Sequence, residues 1–246
     1  MSPNSAILAL DAKAITRDNV MMMNIGLSFV GMLTITGIGM FKADTSWAEW
    51  FPFLVILSLV TGPAGYGFLF GMLMVDERDT GTRAVLAVTP IPPTRMLLIR
   101  MLLLTLLMII WPLTTVYVMN STWQALDLSL VQWLALVSIL SLTASITALG
   151  VAVYATNKVE ALALFKGINF IFITPLALYF LPASDELYRK LFLLAPTGPA
   201  VFAYESFQTR NNLQAWAYLA GGAVYCAAIL ALCIWIFSRS LYKQAD

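Results

Sequence analysis

The stretch VDERDTGTRAVLAVTPIPPTRMLLIR, residues 75–100, decides how the rest of the chain must be arranged. It places seven charged residues and three prolines between two long apolar runs. Each charge would cost about 3 kcal/mol at the middle of a bilayer, so about 20 kcal/mol holds this stretch in water. Between the charges, residues 82–89 form a short amphipathic segment whose Val85, Leu86 and Val88 can meet a partner surface. The pattern predicts a docking element.

The composition is that of a polytopic membrane protein. Of the 246 residues, 60% are hydrophobic and 11% are charged, whereas an ordinary soluble domain has about 25% charged residues. The net charge of +1 is too small to indicate a nucleic-acid partner. The chain has no His, and its two cysteines, Cys226 and Cys233, lie in an apolar run, which favours packing over metal ligation or a disulfide.

Six apolar runs are close to the roughly 20 residues that a helix needs to cross a bilayer. Because hydrocarbon offers no water to the backbone, such runs predict six transmembrane helices and not a barrel. We therefore expect an all-α polytopic membrane protein with a single transmembrane domain over residues 1–246. The predicted spans are about 20–41, 51–75, 96–119, 129–156, 163–183 and 214–238.

The segments outside these spans complete the predicted arrangement. Residues 5–19 alternate apolar and charged positions, which predicts an amphipathic helix on the membrane surface, with a frayed tail as the alternative. Residues 76–95 form the loop that carries the docking element. The apolar content of residues 184–213 predicts short outer helices before the last span.

The distribution of Lys and Arg sets the orientation. With the N-terminus inside, the inner segments hold ten of these residues and the outer segments hold four, three of them in one longer loop. We therefore expect both termini to be cytoplasmic, in a multi-pass protein of the cytoplasmic membrane.

The sequence lacks the elements of an enzyme. A phosphate-binding loop needs a Gly-Lys pair, and no Gly in this chain is followed by Lys. Without His, and with nearly all carboxylates in loops, no Ser-His nucleophile or metal-activated water can be assembled. We expect no catalytic residue, no metal site and no cofactor in this chain.

Glycines concentrate in the second span. Gly62 and Pro63 predict a kink or an unwound turn, and Gly67 and Gly71 leave a flat strip that another helix can approach. Two interpretations stay open. The cluster either mediates tight helix packing alone, or forms a gate at mid-membrane as broken transporter helices do.

Polar residues inside other spans are candidates for function. Ser138, Ser141 and Ser145 share one face of the fourth span, and we favour helix packing over a pore lining for them. Asn169 lies in an aromatic, apolar fifth span, where an amide is costly unless it is bonded or faces a cavity. It is the best intramembrane candidate for substrate contact; a hydrogen bond between helices explains it equally well.

The loop carries a more specific pattern. The run Asp76-Glu77-Arg78-Asp79-Thr80-Gly81-Thr82, followed by Leu86, Thr89, Pro90 and Arg95, resembles the loop of type-2 ABC transporter permeases. In that family an acidic-basic pair precedes Gly-Thr, an apolar helix and Pro. The layout is similar over the whole chain: an amphipathic N-terminal helix, six spans, this loop after the second span and a partly embedded segment before the last.

The resemblance implies the membrane subunit of an exporter whose two ATPase subunits are separate chains that bind ATP and Mg²⁺. It implies that the loop is a coupling helix seated in the ATPase, at positions Glu77, Arg78, Gly81, Thr82, Arg83 and Leu86. It also implies a second identical or homologous permease subunit, with spans two and five lining the path. On those spans the predicted contact residues are Tyr66, Phe70, Asn169 and Phe172.

The cargo expected from an apolar, aromatic path is amphipathic: a drug, a lipid or a peptide antibiotic. Two other classes of function stay open. A carrier or channel working alone would need intramembrane charges for ion coupling, and the sequence offers almost none. A scaffold that recruits other membrane proteins through the same loop, without transport, is the third.

Overall fold

A computed structural model describes residues 50–81, 93–123, 128–181 and 186–242, together with a few isolated residues before Trp50. Within these ranges every regular element is a helix, which confirms the predicted all-helical class. Short 3-10 segments, Thr174–Phe180 and Phe192–Leu194, follow the fourth and fifth α-helices. In chain order the α-helices are α1 (Phe51–Asp79), α2 (Pro93–Trp123), α3 (Leu130–Tyr154), α4 (Lys158–Ile173), α5 (Glu186–Leu191), α6 (Gly198–Gln208) and α7 (Asn212–Tyr242).

Five helical stretches are long and apolar enough to cross a membrane. They correspond to the second to sixth predicted spans. The first predicted span, 20–41, lies outside the described residues apart from isolated positions, as does the surface helix predicted at 5–19. The five stretches are Phe51–Asp79, Arg95–Val118, Leu130–Tyr154, Lys158–Phe180 and Asn212–Arg239.

The loop predicted at 76–95 is shorter in the structure at both ends. Helix α1 continues through Asp79, and α2 already begins at Pro93. The acidic-basic run can remain helical because the helix satisfies its backbone while its side chains find partners on neighbouring helices. Residues 82–92, which include the amphipathic segment, lie outside the described residues.

The central contact of the fold joins α1 to α3 through glycine. A Cβ atom added at Gly67 would lie 2.2 Å from the backbone oxygen of Ala144, and one at Gly71 would lie 2.8 Å from Cβ of Val151. Only Gly allows the two backbones to approach this closely. Pro63 lies inside α1, and the helix is continuous there, so the unwound turn allowed by the sequence is not observed.

Helix α3 is the most enclosed span, and its hydroxyl groups are bonded inside the protein. The Ser145 hydroxyl donates to the carbonyl of Met101 on α2 at 3.2 Å and lies 2.9 Å from the hydroxyl of Thr105. Its single hydrogen is then committed, so Thr105 donates to Ser145. Such bonding favours packing over a pore lining. The fully buried hydroxyl residues of α3 are Ser141, Thr143, Ser145 and Thr147.

Helix α4 changes to a 3-10 helix where Pro175 interrupts its hydrogen bonds. Pro175 has no N–H, so the carbonyls that it would have served in an α-helical or a 3-10 turn, those of Ile171 and Phe172, lose a donor. The Thr174 hydroxyl donates to Ile171 at 2.7 Å, and the buried Thr197 hydroxyl donates to Phe172 at 2.6 Å. The second bond ties the start of α6 to the end of α4.

Polar and aromatic contacts also gather near the N-terminal end of α1. The guanidinium of Arg189 donates to the carbonyls of Leu178 and Leu181 at 3.5 Å each, and forms an ion pair with Glu205 on α6. The Tyr204 hydroxyl lies 3.4 Å from the carbonyl of Pro52. We call this region the aromatic end, after its ring cluster of Trp50, Phe53, Tyr179 and Phe180.

Candidate functional site

At the opposite end of α1, charged side chains connect its last turn to three other helices. The strongest connection joins Glu77 to Arg100 on α2. The two guanidinium nitrogens donate to the two carboxylate oxygens at 2.7 and 2.5 Å. The Arg100 side chain is 6% exposed and that of Glu77 is 14% exposed. A two-point bond with little access to water fixes both the distance and the orientation of the two helices.

Arg78 connects the same turn to the end of α3. Its guanidinium donates to the carbonyl of Ala155, the residue that follows α3, at 2.5 Å. The last carbonyls of a helix have no partner within the helix, and the negative end of the helix dipole favours a cation there. Arg78 therefore caps the C-terminal end of α3.

Asp76 connects the turn to α4. Its carboxylate lies 2.7 Å from the ammonium of Lys158, the first residue of α4, and both side chains are exposed. The start of α4 is also held locally, because the Asn157 side chain accepts from two backbone N–H groups and the Glu160 carboxylate accepts from Thr156. One turn of α1 is thus bonded to α2, α3 and α4. We call Asp76, Glu77, Arg78, Arg100 and Lys158 the ionic cluster.

The predicted coupling residues divide between this cluster and the undescribed loop. Gly81 follows α1 with a φ of 70°, a conformation that residues with a side chain adopt at a cost. It turns the chain out of the helix directly after the cluster. Thr82, Arg83 and Leu86 lie outside the described residues. Glu77 and Arg78, for which the resemblance implies a seat on the ATPase, are bonded within the chain.

Sequence reasoning missed Arg100 and Lys158 as members of the cluster. The prediction that Arg100 is a charge held in water is wrong: it is 5% exposed, and Glu77 compensates its charge. A single cation about one turn inside the predicted span 96–119, following a single acidic run across the loop, is the signal that could have indicated the pair.

The structure does not bring the four predicted path residues together. Phe70 is buried among α2, α3 and the last helix, and Tyr66 is half-buried beside it. Phe172 is buried in a different cluster, with α6 and the N-terminal half of α1. Asn169 is half-buried on α4. Between these groups, Phe68 stacks on Phe165 with ring centroids 4.4 Å apart.

Asn169 keeps an unusual feature that bears on its two interpretations. Its side-chain oxygen is buried and has no hydrogen-bond partner among the described residues. The bonded-helix interpretation requires a donor for this oxygen, and none is found in that part of the chain. An unmet buried acceptor costs about 1–3 kcal/mol, and this oxygen is closed to solvent, so the described residues support neither interpretation of Asn169.

Comparison of the sequence with known proteins gives a family and two named relatives. The family described as "Fluoroquinolones export permease protein Rv2686c-like" matches residues 11–234. Two relatives from Mycobacterium tuberculosis are the Fluoroquinolones export permease proteins MT2760 (strain CDC 1551 / Oshkosh) and Rv2686c (strain ATCC 25618 / H37Rv). Each is 28% identical to this chain over 192 residues, which is 76% of this chain and 68% of the relative.

Proposed function

Because the chain belongs to the Rv2686c-like family of export permeases, a family of the ABC-2 type, we propose that it is the transmembrane permease subunit of an ATP-binding-cassette exporter. In this proposal residues 1–246 form one transmembrane domain in the cytoplasmic membrane, with both termini in the cytoplasm. Two separate ATPase subunits bind and hydrolyse ATP with Mg²⁺, and a second identical or homologous permease completes the path.

The ionic cluster is the observation that carries this proposal. A partner that moves residues 82–92 pulls on the last turn of α1, and that turn is bonded to α2, α3 and α4. Motion of the loop would therefore displace four helix ends together and not bend one helix alone. A subunit driven by a partner needs such a connection, because ATP hydrolysis can bias its packing only through contacts that differ between its states.

We further propose that the cargo is amphipathic, as a drug, lipid or peptide antibiotic is. Both relatives carry fluoroquinolone export in their names, and this supports a drug-sized cargo for the chain. The spans of the permease offer aromatic rings and few charges, so apolar contact would supply most of the binding free energy.

Co-purification tests the partnership directly. We expect an ATP-hydrolysing subunit to remain bound to the wild-type chain, and to be released by Arg83→Glu or Leu86→Asp in the coupling segment. Charge reversal and burial of a carboxylate both disrupt a docked amphipathic helix. Lys190→Glu on α5, at the other end of the bundle, is the control, and should leave the ATPase bound.

The same preparation distinguishes the other two classes of function. A chain that purifies alone and transports its cargo without ATP would overturn the proposal in favour of a carrier. A chain that binds an ATPase without any cargo-dependent stimulation of hydrolysis would favour a scaffold. ATPase activity of the reconstituted complex, measured across a panel of amphipathic compounds, gives both results.

A further inference from the structure

Lys166 is a cation within a described span that does not belong to the ionic cluster. Lys166 lies eight residues beyond Lys158, the first residue of α4, which is about 12 Å along the helix axis. The Lys158–Asp76 pair, exposed to solvent, marks the polar end of the helix. Lys166 is exposed, and in the parts of the chain that the structure describes no carboxylate pairs with it.

The face of α4 around Lys166 combines one charge with apolar surface. Residues three and four positions apart meet on a helix, so Leu162 and Phe170 flank Lys166 and Asn169 lies beside it. Leu162 is 45% exposed and Phe170 is 72% exposed. At Gly167 an added Cβ would meet no atom within 4 Å, so the surface next to the lysine is open. The result is an ammonium beside an exposed aromatic ring.

An unpaired ammonium at this depth is costly unless it reaches water or meets an anion. A helical side chain slants toward the N-terminus of its helix, so we expect the Lys166 ammonium to reach toward the polar end while its stem stays in the apolar layer. In this orientation the Lys166 ammonium can contact the charged group of a molecule that enters from the polar end of α4. Phe170 then lies deeper, where the apolar part of the same molecule would lie.

We infer that Lys166 binds the anionic group of an amphipathic cargo, a carboxylate or a phosphate, while Phe170 packs against its apolar part. The inference rests on the proposed function, since it names the chemical class of the cargo. An anionic lipid headgroup has the same chemistry, so the experiment must distinguish the two sources.

Direct binding to the purified chain provides the first test, because it requires neither ATP nor the ATPase. The probes are dansyl-labelled undecanoic acid and its methyl ester, which differ by one charge. We expect Lys166→Gln to weaken binding of the acid on the order of tenfold, as loss of a hydrogen bond to a charged group does, and to leave the ester unchanged. Lys166→Arg should restore binding of the acid, and Lys190→Gln should change the binding of neither probe.

Three results would overturn the inference. The wild-type chain could bind both probes equally. Lys166→Gln could weaken both probes by the same factor, as a structural role predicts. In vesicles of phosphatidylcholine with and without phosphatidylglycerol, Lys166→Gln could affect binding only when the anionic lipid is present; the site would then belong to a headgroup.

The transport assay separates this inference from the proposed function. If the wild-type chain purifies without an ATPase and transports without ATP, while Lys166→Gln still lowers binding of the acid alone, the exporter proposal fails and the binding site stands. If ATP-driven transport of the ester persists and the acid shows no dependence on Lys166, the proposed function stands and the site is overturned.

Discussion

The two ends of α1 are held by different kinds of interaction. At 29 residues the helix is roughly 40 Å long, and its C-terminal turn is bonded through the ionic cluster to three helices. At its N-terminal end, the aromatic end, α1 is held by ring contacts such as that of Phe53 with Tyr179 and by the Tyr204 hydroxyl, 3.4 Å from the carbonyl of Pro52. The Arg189–Glu205 ion pair in that region joins α5 to α6 and does not involve α1. Charges in the ionic cluster specify partners and directions, whereas aromatic packing tolerates sliding. The ionic cluster therefore suits an end of the helix that transmits motion from a loop, and aromatic packing suits an end around which helices shift.

Removing one partner of the buried pair should produce the largest effect. Glu77→Ala removes the carboxylate that accepts from both Arg100 nitrogens in a nearly enclosed position, and breaking such a buried pair costs about 3–5 kcal/mol of unfolding free energy. Equilibrium unfolding of the detergent-solubilised chain, followed by circular dichroism, measures the loss. A loss below about 1 kcal/mol would mean that Arg100 finds water in the variant and that the pair is not enclosed.

A double variant sharpens the comparison by separating stability from transmission. Glu77→Leu with Arg100→Met replaces the pair by apolar groups, and such replacements are often neutral or stabilising. We expect a folded chain that still binds its ATPase but transports less cargo for each ATP hydrolysed. Full transport by this variant would show that the buried pair does not carry the motion of the loop.

Away from the ionic cluster, the largest expected effect comes from Thr197. Thr197→Val keeps the shape and removes the hydroxyl, so the carbonyl of Phe172 loses the donor that replaces Pro175. We expect a loss of about 1–3 kcal/mol of unfolding free energy, measured by the same unfolding experiment. Thr197→Ser retains the hydroxyl and serves as the control; equal losses in both variants would assign the effect to the methyl group.

The turn that leaves the ionic cluster should give a smaller effect. Gly81 has a φ of 70°, and Gly81→Ala should lower the unfolding free energy by about 1–2 kcal/mol. Gly65→Ala is a matched control, because a Cβ there meets no atom within 4 Å and α-helical geometry favours Ala over Gly by about 1 kcal/mol. In thermal unfolding, we expect Gly81→Ala to lower the stability and Gly65→Ala to raise it. A change of the same sign in both variants would contradict the left-handed conformation at Gly81.

The sequence was sufficient for the helical class and for five of the six predicted spans, because length and hydrophobicity decide both. It also indicated close approach at Gly67 and Gly71, although not that α3 is the helix approached. The ends of the helices were less predictable. Charges after an apolar run look like loop residues until their partners are known, and Glu77 finds its partner 23 residues away.

The candidate site was predictable only in part for the same reason. The run that includes Glu77 and Arg78 was identified from its composition and its resemblance, but what these residues contact depends on tertiary neighbours. Thr197 shows the same limit: a hydroxyl in a Pro-rich segment gives no sign that it donates to a carbonyl 25 residues earlier. Hydrogen bonds between distant elements leave no periodic pattern in a sequence.

The exposed ion pair of the ionic cluster should give the smallest effect, and one that depends on salt. The side chains of Asp76 and Lys158 are 40% and 47% exposed, so Asp76→Asn should cost about 0–1 kcal/mol at low ionic strength. Because the Debye length falls to about 3 Å at 1 M salt, the difference between wild type and Asp76→Asn should disappear there. The loss caused by Glu77→Ala should persist at 1 M salt, since a buried pair is screened much less. If 1 M salt abolished the loss of unfolding free energy in both Asp76→Asn and Glu77→Ala, the two ion pairs would be equally accessible to solvent. Only the aromatic packing would then distinguish one end of α1 from the other.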